Sequence, residues 1–280
     1  MGWKLRYASH LGYRSADTPL YLHAVGSLDP LRHIAFAADL GFAGVQYALG
    51  RTRPVEEQRA IGDALQRRGL EAGCILFAPV QTAMQPLWTS ADPDRRQAIA
   101  TEIDQAIDCA RRVGSRLVAV IAGADPRAPL AWQQLAMVEN LKRMADRAER
   151  AGVVLCLESL SRRSLPNMLL SHIGEAYAVA KAVDSPAVRL IFDTSHVQIM
   201  DGDLLANLEA CWDLVSVVQL ADNPGRLEPG TGELNFPNIL RWLVDRQFKG
   251  LVELEHGWST PDAAAEAAGI EWLRSVDSCL

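Results

Sequence analysis

Short apolar, β-favouring runs alternate along the whole chain with longer stretches in which apolar residues return at helical spacing. The strand-like runs lie at 4–9, 43–49, 70–77, 116–122, 153–158, 187–193, 214–221 and 250–255. Helical patterns fill the intervals, as in "PLRHIAFAADL" (30–40), "PDRRQAIATEIDQAIDCARRV" (93–113) and "PLAWQQLAMVENLKRMADRAER" (129–150). Glycine stands between a helix and the next strand at Gly41, Gly69, Gly114, Gly152 and Gly250, where a left-handed C-terminal cap is wanted. Asp29-Pro30, Asp92-Pro93 and Thr260-Pro261 have the form of an N-cap followed by proline in the first turn. Eight βα units in 280 residues predict a (β/α)8 TIM barrel, an α/β fold forming a single domain over residues 1–280. A doubly wound sheet is the alternative, but it usually closes with fewer units.

The connections are unequal. Turns from helix to strand are short ("GFA", "RG", "GS", "AG"), whereas those from strand to helix are long, notably about 10–28, 78–92 and 222–235. Chain is therefore invested at the C-terminal ends of the strands, the face on which barrels carry function. Glu158 ends the fifth run, Asp193 the sixth and Glu255 the eighth, and Gln219 lies near the end of the seventh. Neighbouring staves would bring the four side chains to one rim. An isolated acid at a strand end is ordinarily a helix cap or a loop ion pair, and Asp193 in "FDTSH" is good capping chemistry. Four polar donors in four successive units are harder to explain that way. Three carboxylates in one small mouth raise one another's pKa values unless a positive charge joins them. One divalent cation would resolve the conflict, and oxygen donors suit Mg²⁺ or Mn²⁺, with Co²⁺ next. Glu253 shares the face of Glu255 but would lie deeper and need a partner. His196, one turn past Asp193, and Arg226, on the long seventh loop, are positioned to contact substrate oxygens. His10 and Arg14, on the first loop, are candidates to close over a ligand. His256 should face the other side of its strand in a structural role.

These segments resemble a known family. "VVLCLES", "FDTSH", "VQLADNPGRLEPGTGELNF" and "GLVELEH" are similar in order and separation to the sugar-phosphate-isomerase-like TIM barrels, also called the xylose-isomerase-like or AP-endonuclease-2 superfamily. The stretch "QLADNPGRLEPGTGELNF" is most similar to the hydroxypyruvate isomerase branch. The resemblance implies a mononuclear metal held by Glu158, Asp193, Gln219 and Glu255, with Glu158 and Glu255 doubling as catalytic acid and base. It also implies substrate contacts from His196 and Arg226. Ketose 3-epimerases usually place histidine where Gln219 stands, which favours the hydroxypyruvate isomerase side. The chain departs from the family at Gln46, where glutamate is frequent, at Ser159, Ser161 and Arg162, and in the opening "SHLGYRSADTPLYLHAVG". The expected activity is isomerisation or epimerisation of a small sugar or keto acid by moving the proton α to a carbonyl. A lyase or dehydratase using the same enolate on a sugar or cyclic polyol is the alternative.

Composition narrows the picture. The net charge of −6 and the pI of about 5.6 provide no basic face for a nucleic-acid backbone. Five scattered cysteines with no CxxC fit a reducing, cytoplasmic compartment, and no run has membrane-spanning length. A small-molecule partner is expected, and a homo-oligomer is compatible with the sequence.

Overall fold

In the computed structural model, which describes residues 2–280, eight parallel strands form a ring. They are β1 (Tyr7–His10), β2 (Gly44–Gln46), β3 (Glu71–Ala72 continued by Ile75–Leu76), β4 (Leu117–Val120), β5 (Val154–Glu158), β6 (Val188–Asp193), β7 (Val215–Leu220) and β8 (Leu251–Leu254). β1 pairs with both β2 and β8. Closure runs through the broken third strand, whose first segment pairs with β2 and whose second pairs with β4. The Gly73 N–H donates to the Val45 carbonyl at 2.8 Å, and Ala72 bridges Ser115, so the break does not open the wall. The expected (β/α)8 barrel is the observed architecture.

Inside the ring lies a narrow plug of Cys74, Ala119, Cys156, Ile191 and Val217. Cys74 and Cys156 are buried there as small apolar fillers. The larger core lies between strands and helices, with Trp88, Phe77, Phe192, Phe236, Ile61 and Ile103 fully buried. No described helix is long and apolar enough to cross a membrane.

Most punctuation falls where the sequence placed it. Asp29 accepts from Leu31 N, and Asp92 accepts from Asp94 N and Arg95 N, each with proline in the following first turn. Gly41, Gly69, Gly114 and Gly152 all have positive φ. Two assignments shift. The last helix (Ala263–Ser278) is capped by Asp262, which accepts from Ala265 N, and not by Thr260. Before β8 the left-handed residue is Gln247 (φ 54°), while Gly250 is required because a Cβ there would lie 2.1 Å from the Ser216 carbonyl.

Gly62, in the helix Val55–Arg68, sits where that helix touches the helix Pro93–Val113; a Cβ would lie 2.2 Å from the Arg112 carbonyl oxygen. Helix propensity favours alanine there by about 1 kcal/mol, but separating two packed helices costs about 1–3 kcal/mol. Gly62→Ala is therefore expected to lower stability in denaturant unfolding, contrary to its propensity.

Candidate active site

Glu158 is the last residue of β5, Asp193 the last of β6, Gln219 the penultimate residue of β7, and Glu255 follows β8 directly. Asp193 is paired in register with Gln219, and Gln219 with Glu253, so Glu255 stands one inward-facing step above Glu253. All five side chains are buried at the mouth of the barrel. Above them opens a cavity of about 500 Å³ lined by Gln46, Glu158, His196, Gln219, Arg226 and Glu255, among others.

The floor of this site is Glu253. Its carboxylate accepts from Cys74 N (2.7 Å), Gln46 Nε2 (3.0 Å) and Gln219 Nε2 (3.0 Å). This is the partner set its depth demands. Burial is the main influence on Glu253 and raises its pKa to about 7, against these donors. The same contacts break β3. The Cys74 N–H turns toward the carboxylate, and a Cβ on residue 73 would lie 2.4 Å from Glu253 Oε1, so only glycine fits.

Above the floor, Arg226 spans two carboxylates. Nη1 and Nη2 donate to Asp193 Oδ1 and Oδ2 at 3.0 and 2.7 Å, and Nη2 also donates to Glu255 Oε1 at 2.7 Å. Gln46 Nε2 donates to Glu255 Oε2. Burial works against ionisation of Asp193, but Arg226 and the His196 N–H hold its carboxyl below the usual range. Burial lifts Glu255 in spite of Arg226. Burial, then the Glu255 and Asp193 charges, holds Glu158 well above the ordinary carboxylate range. Among the described residues nothing donates a hydrogen bond to the Glu158 carboxyl; the basic side-chain nitrogen that comes within 4.0 Å of it is His196 Nε2.

Asp193 also serves as the cap the sequence suggested, since Oδ1 accepts from His196 N at 2.9 Å. That bond roots the helix Thr194–Met200 at the rim and fixes His196. Ser161 N donates to His196 Nδ1 at 3.3 Å, which leaves the proton on Nε2, facing the cavity. Burial lowers the imidazole pKa to about 4, so the ring is neutral at pH 7 and Nε2–H is a donor.

His10 lies elsewhere. Its Nε2 meets the His256 carbonyl at 3.1 Å and its Nδ1 accepts from Gly12 N at 3.0 Å, so both ring nitrogens are used. It packs edge-on against Tyr13, which does line the cavity together with Arg14. The expected substrate contact thus becomes a support for the first loop. His256 is structural, as anticipated: Nδ1 meets the Gly257 carbonyl, and the ring packs against Trp258. Two further residues belong to the cluster. Gln46 bridges Glu253 and Glu255, and Tyr13 lies 5.4 Å from the Arg226 guanidinium. Gln46 stood out in the sequence as a departure from the family at the end of the second strand, without a role, and the signal for Tyr13 was only its place on the first long loop.

Oxygens of Glu158 and Asp193 and a ring nitrogen of His196 lie within 4.8 Å of one another, but with Nδ1 engaged by Ser161 N and the proton on Nε2 the imidazole is a neighbour of an ion site and the two carboxylates are its ligands. The donor chemistry fits a divalent cation on two further grounds. The amide oxygens of Gln219 and Gln46 are buried without hydrogen-bond partners, an uncommon condition that a cation would relieve for the oxygen it reached. In addition, of the four clustered carboxylates (Glu158, Asp193, Glu253 and Glu255), two, Asp193 and Glu255, have an arginine partner among the described residues, and they share the one guanidinium of Arg226.

Residues 34–276 match the xylose isomerase-like TIM barrel family model. Over 268 residues the chain is 28% identical to 2-oxo-tetronate isomerase of Pectobacterium atrosepticum, covering 91% of this chain and 97% of that one. It is 26% identical over 250 residues to hydroxypyruvate isomerase of Escherichia coli, covering 89% and 94%. The crystal structure of an AP endonuclease, family 2, from Brucella melitensis superposes with a TM-score of 0.82 at 25% identity, covering 97% and 98%. With this barrel, this rim and these matches, the chain belongs to the xylose isomerase-like TIM barrel family.

Proposed function

We propose that the protein is a divalent-cation-dependent isomerase that moves the proton α to the carbonyl of a small hydroxy-carbonyl compound, a hydroxypyruvate-like keto acid or a ketose. The observation that carries this reading is the convergence of Glu158, Asp193 and Glu255 with the unpartnered amide oxygen of Gln219 at the base of one cavity. The names of the relatives, 2-oxo-tetronate isomerase and hydroxypyruvate isomerase, support the same class of reaction.

Glu158, Asp193, Gln219 and Glu255 would hold the cation, Mn²⁺ or Mg²⁺ by donor preference. When bound it would supply Lewis-acid stabilisation of the charge that develops on the carbonyl oxygen as the α carbon loses its proton. The remaining work falls to the chain. Glu158 and Glu255 are the pair of carboxylates available to remove the proton and return it, and burial makes each a stronger base than in water. His196 Nε2–H donates to a substrate oxygen, held in that tautomer by Ser161 N. Arg226 favours the ionised form of Asp193, offsets part of the burial that lifts Glu255, and aligns both carboxylates. Arg14 lines the same cavity, and among the described residues it has no carboxylate partner, which favours a keto acid over a neutral ketose.

The test is incubation with hydroxypyruvate, its alkyl- and aryl-substituted homologues and small ketoses, with Mn²⁺, in D₂O. The product should have the substrate's mass apart from deuterium gained at carbon next to the carbonyl. A product lighter by water would assign the chemistry to elimination, and absence of both exchange and conversion across the panel would refute the reading.

A further inference from the structure

The mouth of the barrel is divided. Polar lining comes from β5 to β8 and their loops, with Glu158, His196, Gln219, Arg226 and Glu255 foremost, and also from Tyr13 and Arg14 on the first loop and Gln46 at the end of β2. The facing side is built from Ala48 after β2, Leu76 of β3, Val80 on the short helix Val80–Ala83, Ile121 after β4 and Leu165 beyond β5, with Ile199 completing it from the helix after β6. Ser164 supplies a hydroxyl at this side's exposed edge. A polyhydroxylated carbon chain laid on this wall would exchange water for methyl groups and leave its hydroxyls without partners, which selects against it. An alkyl group there gains about fourfold in affinity for each methylene removed from water. The cavity, at about 500 Å³, also has room beyond the reacting atoms of a three-carbon acid.

We infer that the substrate carries an apolar substituent, alkyl or aryl, next to its reacting hydroxy-carbonyl group, and that this substituent rests on the wall formed by Leu76, Val80, Ile121, Leu165 and Ile199. The inference deepens the proposed isomerase reading and rests on it for the placement of the reacting end. It narrows the substrate from sugars and keto acids in general to branched or aryl-substituted members of the keto-acid class.

The test is calorimetric and does not depend on turnover. In the presence of Mn²⁺, the full-length protein is titrated with 2-hydroxy-4-methylpentanoate and with 2,4,5-trihydroxypentanoate, which share an α-hydroxy acid head and differ in the tail. The alkyl acid is expected to bind about tenfold tighter or more. The double variant Val80→Thr, Ile199→Thr makes two half-buried positions polar, the first isosterically and the second with the loss of one carbon, and should shrink that preference to about threefold or less while lowering the melting temperature by no more than a few degrees. Equal affinities, a preference for the polyol, or no binding of either acid would overturn the inference. Deuterium exchange with hydroxypyruvate can succeed or fail independently of this result, so failure of the wall assignment and failure of the isomerase reading are told apart.

Discussion

Glu255→Gln is expected to lower turnover by two orders of magnitude or more and to leave the barrel folded. The loss follows from the role: a positioned carboxylate acting as acid or base is worth about 10²–10⁴ in rate, and an amide has no basic oxygen to replace it. Retention of the fold follows from the neighbours. Glu255 accepts from Arg226 Nη2 at one oxygen and from Gln46 Nε2 at the other. The new amide keeps one acceptor for Arg226; its N–H₂ meets Gln46, whose rotation would satisfy it only by giving up the bond to Glu253 Oε2, so a modest loss of stability without unfolding is expected. Steady-state kinetics with the preferred substrate, alongside circular dichroism and a melting curve, separate the two effects. Near-normal turnover in a folded variant would remove Glu255 from the chemistry.

The second large effect concerns stability and lies outside the reacting group. Asp222, fully buried just after β7, accepts from four backbone N–H groups: Asn223 (2.8 Å), Gly230 (2.9 Å), Gly232 (2.8 Å) and Leu234 (3.1 Å). The chain between them also returns on itself through Asp222 N to Leu227 O and Leu227 N to Asp222 O. This knot holds Arg226 in a left-handed conformation (φ 56°) and directs its guanidinium to Asp193 and Glu255. Asp222→Ala strips the acceptor from four donors at once. Each buried donor left unpaired costs about 1–3 kcal/mol, and partial relaxation leaves an expected loss of about 3 kcal/mol. For a domain of this size that lowers Tm by roughly 6–12 °C. Asp222→Asn keeps one acceptor oxygen and should fall between the two. A melting temperature within a degree or two of the parent in Asp222→Ala would show that the loop does not depend on this carboxylate.

Much of this was legible in the residues. The alternation of β-favouring runs and helical spacing marks all eight staves, because parallel strands buried on both faces read as continuous apolar runs. Polar residues at the ends of four consecutive runs mark the rim, since a carboxylate at the end of a buried strand is costly unless something awaits it there. Other features were not legible because their cause is distant in sequence. The break in β3 at Gly73–Cys74 is set by Glu253, 179 residues beyond Cys74. The role of His10 depends on the His256 carbonyl, 246 residues away, and turns a candidate ligand contact into a loop support. The two-carboxylate clamp of Arg226 needs the left-handed turn that Asp222 organises, and no local pattern encodes it. The last helix begins at Asp262 because an aspartate competes for the cap more effectively than the threonine two residues earlier.

The β5–β8 rim is expected to bind one doubly charged ion through Glu158 and its neighbours. Chelator-treated protein should be titrated with Mn²⁺ by calorimetry, in parallel with Glu158→Gln, whose carboxyl receives no hydrogen bond from the described residues and whose loss should disturb the fold little. One equivalent of Mn²⁺ per chain, bound at least tenfold more weakly by the variant, is the predicted result; no saturable site, or equal affinity in the two proteins, would contradict it.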